Sequence, residues 1–83
     1  MAEKEVGVIS DFFAHVMVGG INLTDTLKVG DRVHIKGHTT DFAFTAASMQ
    51  IDNKDVTEAK KGRSVGVKVP DRVRPGDKVY VVT

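Results

Sequence analysis

Apolar residues recur at every second position in several short runs. Val33 and Ile35 alternate with Arg32, His34 and Lys36, and Val65, Val67 and Val69 line one side of residues 63–69. Alternation with period two marks a half-buried strand. Residues 5–10 and 78–82 are short and rich in β-branched side chains, which suits strands as well. Residues 14–18 read as a second strand that resumes at 21–24 past a bulge, because the pair Gly19-Gly20 interrupts it. Residues 42–52 read as one long strand with Ala43, Thr45, Ala47, Met49 and Ile51 on a common face. Turn residues fill 25–31, 37–41, 53–55 and 70–77. Only 56–61 looks helical, for a turn or two, with Gly62 as its C-cap. The pattern predicts an all-β domain over 1–83 with about six strands and at most one short helical turn near 56–61. A small sheet hides its edges best by closing, so the expected architecture is a closed or nearly closed antiparallel β-barrel.

One segment is echoed. Leu27-Lys28-Val29-Gly30-Asp31-Arg32-Val33 matches Val73-Arg74-Pro75-Gly76-Asp77-Lys78-Val79 in its apolar start, Gly-Asp pair, basic residue and valine. Glycine permits a positive-φ turn, aspartate satisfies nearby backbone N–H groups, and valine enters a strand. Two copies are too few for a repeat array, so they mark two similar entries into strands of one domain.

Composition adds constraints. The 83 residues contain no cysteine, which removes disulfides, thiol nucleophiles and cysteine metal sites. The apolar runs are far shorter than the roughly 20 residues of a membrane span. The start of the chain lacks the basic and apolar regions of a signal peptide, so a cytoplasmic location and no membrane partner are expected. Net charge is +1, but it is unevenly spread. Residues 1–57 hold five Lys/Arg against eight Asp/Glu, and 58–83 hold seven against three. Lys60, Lys61, Arg63, Arg72 and Arg74 are therefore the candidate contacts for an anionic partner, if the fold gathers them. Phe12 and Phe13 lie at an expected hairpin bend, where at least one is exposed, and are candidates for a partner contact. Phe42 and Phe44 share a strand face and read as packing residues rather than a base-stacking platform.

The succession Gly7-Val8-Ile9, the segment 27–37, Ala47-Ser48-Met49-Gln50-Ile51, Val56-Thr57-Glu58-Ala59, the segment 62–67 and the segment 73–79 resembles the second domain of translational GTPases such as elongation factor Tu and initiation factor two. The resemblance runs from about residue 6 to 82 and extends to small freestanding translation elongation factor-like proteins. A similar barrel also closes the C-terminus of some collagenase-like peptidases. The resemblance implies a non-catalytic binding module associated with tRNA, rRNA or the ribosome. The alternative is a protein-interaction barrel acting in trans with a peptidase-like or RNA-modifying catalytic subunit.

No phosphate-binding Gly-x-x-x-x-Gly-Lys-Ser/Thr occurs. Asn53-Lys54-Asp55 has its aspartate one place early for a guanine-reading box, so no GTP binding is expected. His34 and His38 lie on a strand and the turn after it, roughly 13 Å apart in extended chain. With no third ligand evident, no metal or other cofactor is expected. No Gly-x-Ser-x-Gly elbow accompanies Ser10, Ser48 or Ser64, and the chain is expected not to be an enzyme. A monomer or weak homo-oligomer is expected, since edge strands of a small barrel can pair between chains.

Overall fold

The computed structural model describes residues 2–82. It is all-β and antiparallel, with ten strands. These are β1 (Glu3–Phe13), β2 (Val18–Leu23), β3 (Leu27–Lys28), β4 (Arg32–Lys36), β5 (Asp41–Thr45), β6 (Met49–Ile51), β7 (Lys54–Val56), β8 (Glu58–Ala59), β9 (Ser64–Lys68) and β10 (Lys78–Val82). Eight form one sheet in the order β5-β4-β10-β1-β2-β9-β6-β7, and β3 pairs with β8 in a separate ribbon. Val6, Ile9, Ile21, Leu27, Val33, Ile35, Met49, Val65, Val67 and Val79 form most of the buried core.

The expected closed barrel of about six strands is corrected in two ways. First, the sheet is open, with β5 and β7 as its edges. The expected strand over 42–52 breaks at 46–48, where Ala46 spends its hydrogen bonds elsewhere. Its N–H donates to the Asp31 carbonyl and its carbonyl accepts from the Gly30 N–H. That break prevents β5 from continuing into β6 and joining the sheet's ends. It also changes the phase of the strand. Phe44 turns inward and Phe42 packs partly against the core, while Ala43 and Thr45 are exposed. Second, the expected helical turn at 56–61 is absent. Glu58 and Ala59 pair with Lys28 and Leu27 instead, and Gly62 (φ +87°) serves a turn closed by the Arg63 N–H on the Lys60 carbonyl. A few residues of helix-forming type lack the length to hold a helix in water, and ladder pairing prevails.

Residues 14–17, expected in a strand, form the turn between β1 and β2. The Val16 and Met17 N–H groups donate to the Phe13 and Ala14 carbonyls. The bulge expected at Gly19-Gly20 falls opposite, in β1, where the register shifts between Ile9 and Asp11.

The echoed segment is one device used twice. The Asp31 and Asp77 N–H groups donate to the Lys28 and Arg74 carbonyls, and the intervening glycines have φ +97° and +95°. Each aspartate then accepts the backbone N–H three residues back, at 3.0 and 2.9 Å. Each glycine N–H donates to a neighbouring carbonyl, Ala46 in one copy and Ile9 in the other. Those two residues return a hydrogen bond to the carbonyls of Asp31 and Asp77. The relation extends to the ladders: Arg32↔Thr45 and Val33↔Phe44 are matched by Lys78↔Val8 and Val79↔Gly7. β4 and β10 pair with each other about the His34↔Tyr80 position, which makes that pair a local two-fold centre.

Nothing lies within 4 Å of a Cβ built on Gly30 or Gly76, so alanine there meets only the backbone penalty of positive φ. Gly30→Ala and Gly76→Ala are each expected to lower unfolding free energy by roughly 1–2 kcal/mol and by similar amounts. Urea titration checks this, and clearly unequal losses would show that the two turns are not equivalent.

Candidate functional site

The five basic candidates do not form one face. Lys60 and Arg63 line a groove with Ile51, Lys54 and Glu58, whereas Arg72 and Arg74 line another with Thr39, Asp41 and Asp71. The two groups sit toward opposite ends of β2. The Leu23 N–H donates to the Arg63 carbonyl at one end, while the Val69 N–H donates to Met17 beside the other. Lys61 acts on Asp25, whose carboxyl is held below its usual range by Lys4 and by the Thr26 N–H. The positive excess of the second half is therefore spread over separate grooves rather than concentrated.

The two phenylalanine candidates also separate. Phe12 packs against the core, and Phe13 is 48% exposed at the end of β1. Val16, on the following turn, is 47% exposed. Both line a groove of about 900 Å³ on the outward face of β1, β2, β9 and β6. Across that face the ladders align Asp11, Gly20, Gly66, Gln50 and Asp55 in one row. The two central positions lack side chains, so backbone floors the groove. Space there is limited: a Cβ on Gly66 would lie 3.2 Å from Val18 Cγ1, and one on Gly20 3.3 Å from Ser10 Oγ. Glycine inside a strand marks such a close-approach surface.

Two hairpin tips border the groove. Asp52 and Asn53 both adopt positive φ, as a two-residue turn between β6 and β7 requires, and Met17 (φ 53°) does so in the turn between β1 and β2. These are all the non-glycine residues with positive φ among those described.

A second polar constellation lies on the outward face of β5, β4, β10 and β1. His34 Nδ1 faces Glu3 Oε2 at 2.7 Å, and Nε2 faces Asp41 Oδ1 at 2.5 Å. Its ring lies 6.3 Å from that of Tyr80. Asp41 pairs with Lys36 and Glu3 with Val82, equivalent positions about the local two-fold, so His34 is clamped symmetrically. Only the imidazolium donates from both nitrogens at once. Hydrogen bonds donated to Asp41 and then to Glu3 raise the His34 pKa above its ordinary value, and the His34 contact lowers that of Asp41. The signs set a window. The His34 contribution is complete below about pH 6.5 and fades as pH rises through the raised value. The Asp41 contribution is complete above about pH 4 and fades as pH falls through the lowered one. Stability from this clamp is thus expected to be greatest between about pH 4 and 6.5, and His34→Gln should flatten the profile in urea titrations across pH. An unchanged profile would show that the clamp is not formed. His38 is not part of this constellation, and no group of three His, Asp or Glu side chains among the described residues is placed to hold a metal ion.

Asp11, Val16, Gly20, Asp52 and Gly66 were not among the sequence candidates. The glycines carried a signal, since each interrupts a strand pattern, but the partner of each strand is set by long-range pairing.

No family model matches the chain. It is 46% identical over 79 residues to an uncharacterized protease of Methanocaldococcus jannaschii, an alignment that covers 94% of this chain and 19% of the protease. The chain thus spans about a fifth of the length of that curated relative. Two crystal structures of the C-terminal domain of a protein assigned as a U32 peptidase in Geobacillus thermoleovorans share its fold. One has a TM-score of 0.88 at 14% identity, covering 94% of this chain and 91% of that one. The other, a selenomethionine variant, has a TM-score of 0.86 at 14% identity, covering 92% and 96%. These findings overturn the expected membership among elongation factor-like proteins and the likeness to the second domain of elongation factor Tu. The similarity is to part of a peptidase-like protein, and the translation role expected from that resemblance has no support.

Proposed function

We propose that this chain is a non-catalytic accessory domain that docks with a peptidase-like catalytic partner. The observation that carries this reading is the 46% identity over nearly the whole chain to a segment making up only 19% of a protein named as a protease. The fold likeness to a C-terminal peptidase domain supports the same role. The groove beside Phe13 and Val16 is the surface best suited to contact, because exposed apolar side chains beside a polar rim mark protein interfaces. The domain supplies shape and binding, and the partner supplies the chemistry.

Tagged chain recovered from native lysate at low and moderate salt tests the proposal. A peptidase-like protein retained at moderate salt is the expected result. Recovery of RNA alone, lost as salt rises, would overturn it. So would peptide hydrolysis by the purified chain by itself.

A further inference from the structure

We propose that the groove over Gly20 and Gly66 receives a basic, extended peptide segment of the partner, with one of its apolar side chains seated against Phe13 and Val16. This rests on the accessory-domain reading and adds the chemistry of the contact. The acidic side chains carry the argument. Glu3 and Asp41 engage His34, Glu5 engages Lys78, Asp25 engages Lys4, and Glu58 engages Lys28. Asp31, Asp71 and Asp77 accept backbone N–H groups, and Asp55 accepts from Gln50. Among the described Asp and Glu residues only Asp11 and Asp52 have a carboxylate with neither an ion pair nor a hydrogen bond, and both line this groove. No Lys or Arg lines it; His15 is the one basic side chain on its wall, and Lys54, Lys60 and Arg63 lie on the adjoining groove that Asp52 also borders.

The geometry selects the shape of the occupant. Asp11 begins the row that crosses the glycine floor, and Asp52 stands on the hairpin tip beyond it. An extended backbone, or the aliphatic stem of an arginine or lysine, can lie on a floor without side chains while its charged head reaches a carboxylate. Phe13 and Val16 at the rim offer the apolar anchor that hot-spot contacts need. A polyanion is disfavoured, because its phosphates would meet two unpaired carboxylates and no lysine or arginine within the groove.

Titration of the ¹⁵N-labelled chain with a synthetic hexapeptide alternating arginine and leucine tests this, with glutamate replacing arginine in a control peptide. Saturable amide shifts are expected at Gly20, Gly66 and Phe13 with the arginine peptide, and none with the control. The double variant Asp11→Asn with Asp52→Asn should weaken binding roughly tenfold. Gly66→Ser, which fills the floor, should abolish the shifts while thermal unfolding shows the variant folded. Equal binding of both peptides, shifts confined to another face, or undiminished affinity of the double variant would overturn the proposal. The two readings fail separately. Full capture of a peptidase-like protein by the double variant removes the groove assignment and leaves the accessory role. Arginine-peptide binding as described, with no such protein recovered from lysate, does the reverse.

Discussion

Gly37→Ala is expected to destabilise the domain by roughly 3 kcal/mol, far more than alanine at an ordinary strand end. A Cβ on Gly37 would lie 1.9 Å from Asp77 Oδ1 and 2.5 Å from its Cγ. Asp77 cannot swing away freely. It is buried, and its other carboxylate oxygen accepts the Arg74 N–H at 2.9 Å to hold the second Gly-Asp turn. Gly37 is constrained as well, because its N–H donates to the Thr40 carbonyl at 2.6 Å. The substitution must therefore break the cap, shift the turn, or strain the end of β4. A double-mutant cycle checks the mechanism. Asp77→Ala alone should cost about 1–2 kcal/mol through the lost cap, and Gly37→Ala should add little in that background. Additive losses would mean that the clash is relieved elsewhere.

Leu27→Ala is expected to cost about 3 kcal/mol, within the usual range for a fully buried leucine. Leu27 is completely buried although its strand has only two residues. Its importance comes from position. β3 pairs with β8, and the turn that follows it bonds to Ala46 where the sheet stays open. Loss of the anchor thus loosens the core and the ribbon whose turn is bonded to Ala46 between β5 and β6. A small domain has roughly 4–12 kcal/mol in total, so either substitution should shift the urea midpoint markedly. Phe13→Ser, which removes an exposed ring, should leave stability nearly unchanged.

Local rules served where the chain decides its own geometry. The alternation of 32–36 and the inward Val65, Val67 and Val69 are seen in the fold, and both Gly-Asp turns form as their residues demand. Expectation failed where a distant segment intervened. The strand over 42–52 could not show its break, because the partners of Ala46 are Gly30 and Asp31. The Glu58–Ala59 segment is strand only because Leu27 and Lys28 lie beside it. The basic residues cluster in sequence, yet the chain carries them toward opposite ends of β2. The groove shows the same limit from the other side. Asp11 and Asp52 are unremarkable aspartates until the ladder through Gly20, Gly66 and Gln50 brings their hairpins to one surface.

The place of β10 has a consequence for how the protein is made. This strand, residues 78–82, sits inside the sheet between β1 and β4, with Glu3 opposite Val82. During synthesis, every other strand leaves the ribosome before the one that joins the two halves. Until it arrives, β1 and β4 each expose an unpaired edge and an apolar face, the kind of surface that recruits chaperones or aggregates. Folding of this domain is therefore expected to finish only after residue 82 has been translated, and to be slowed by a central pairing that spans nearly the whole chain.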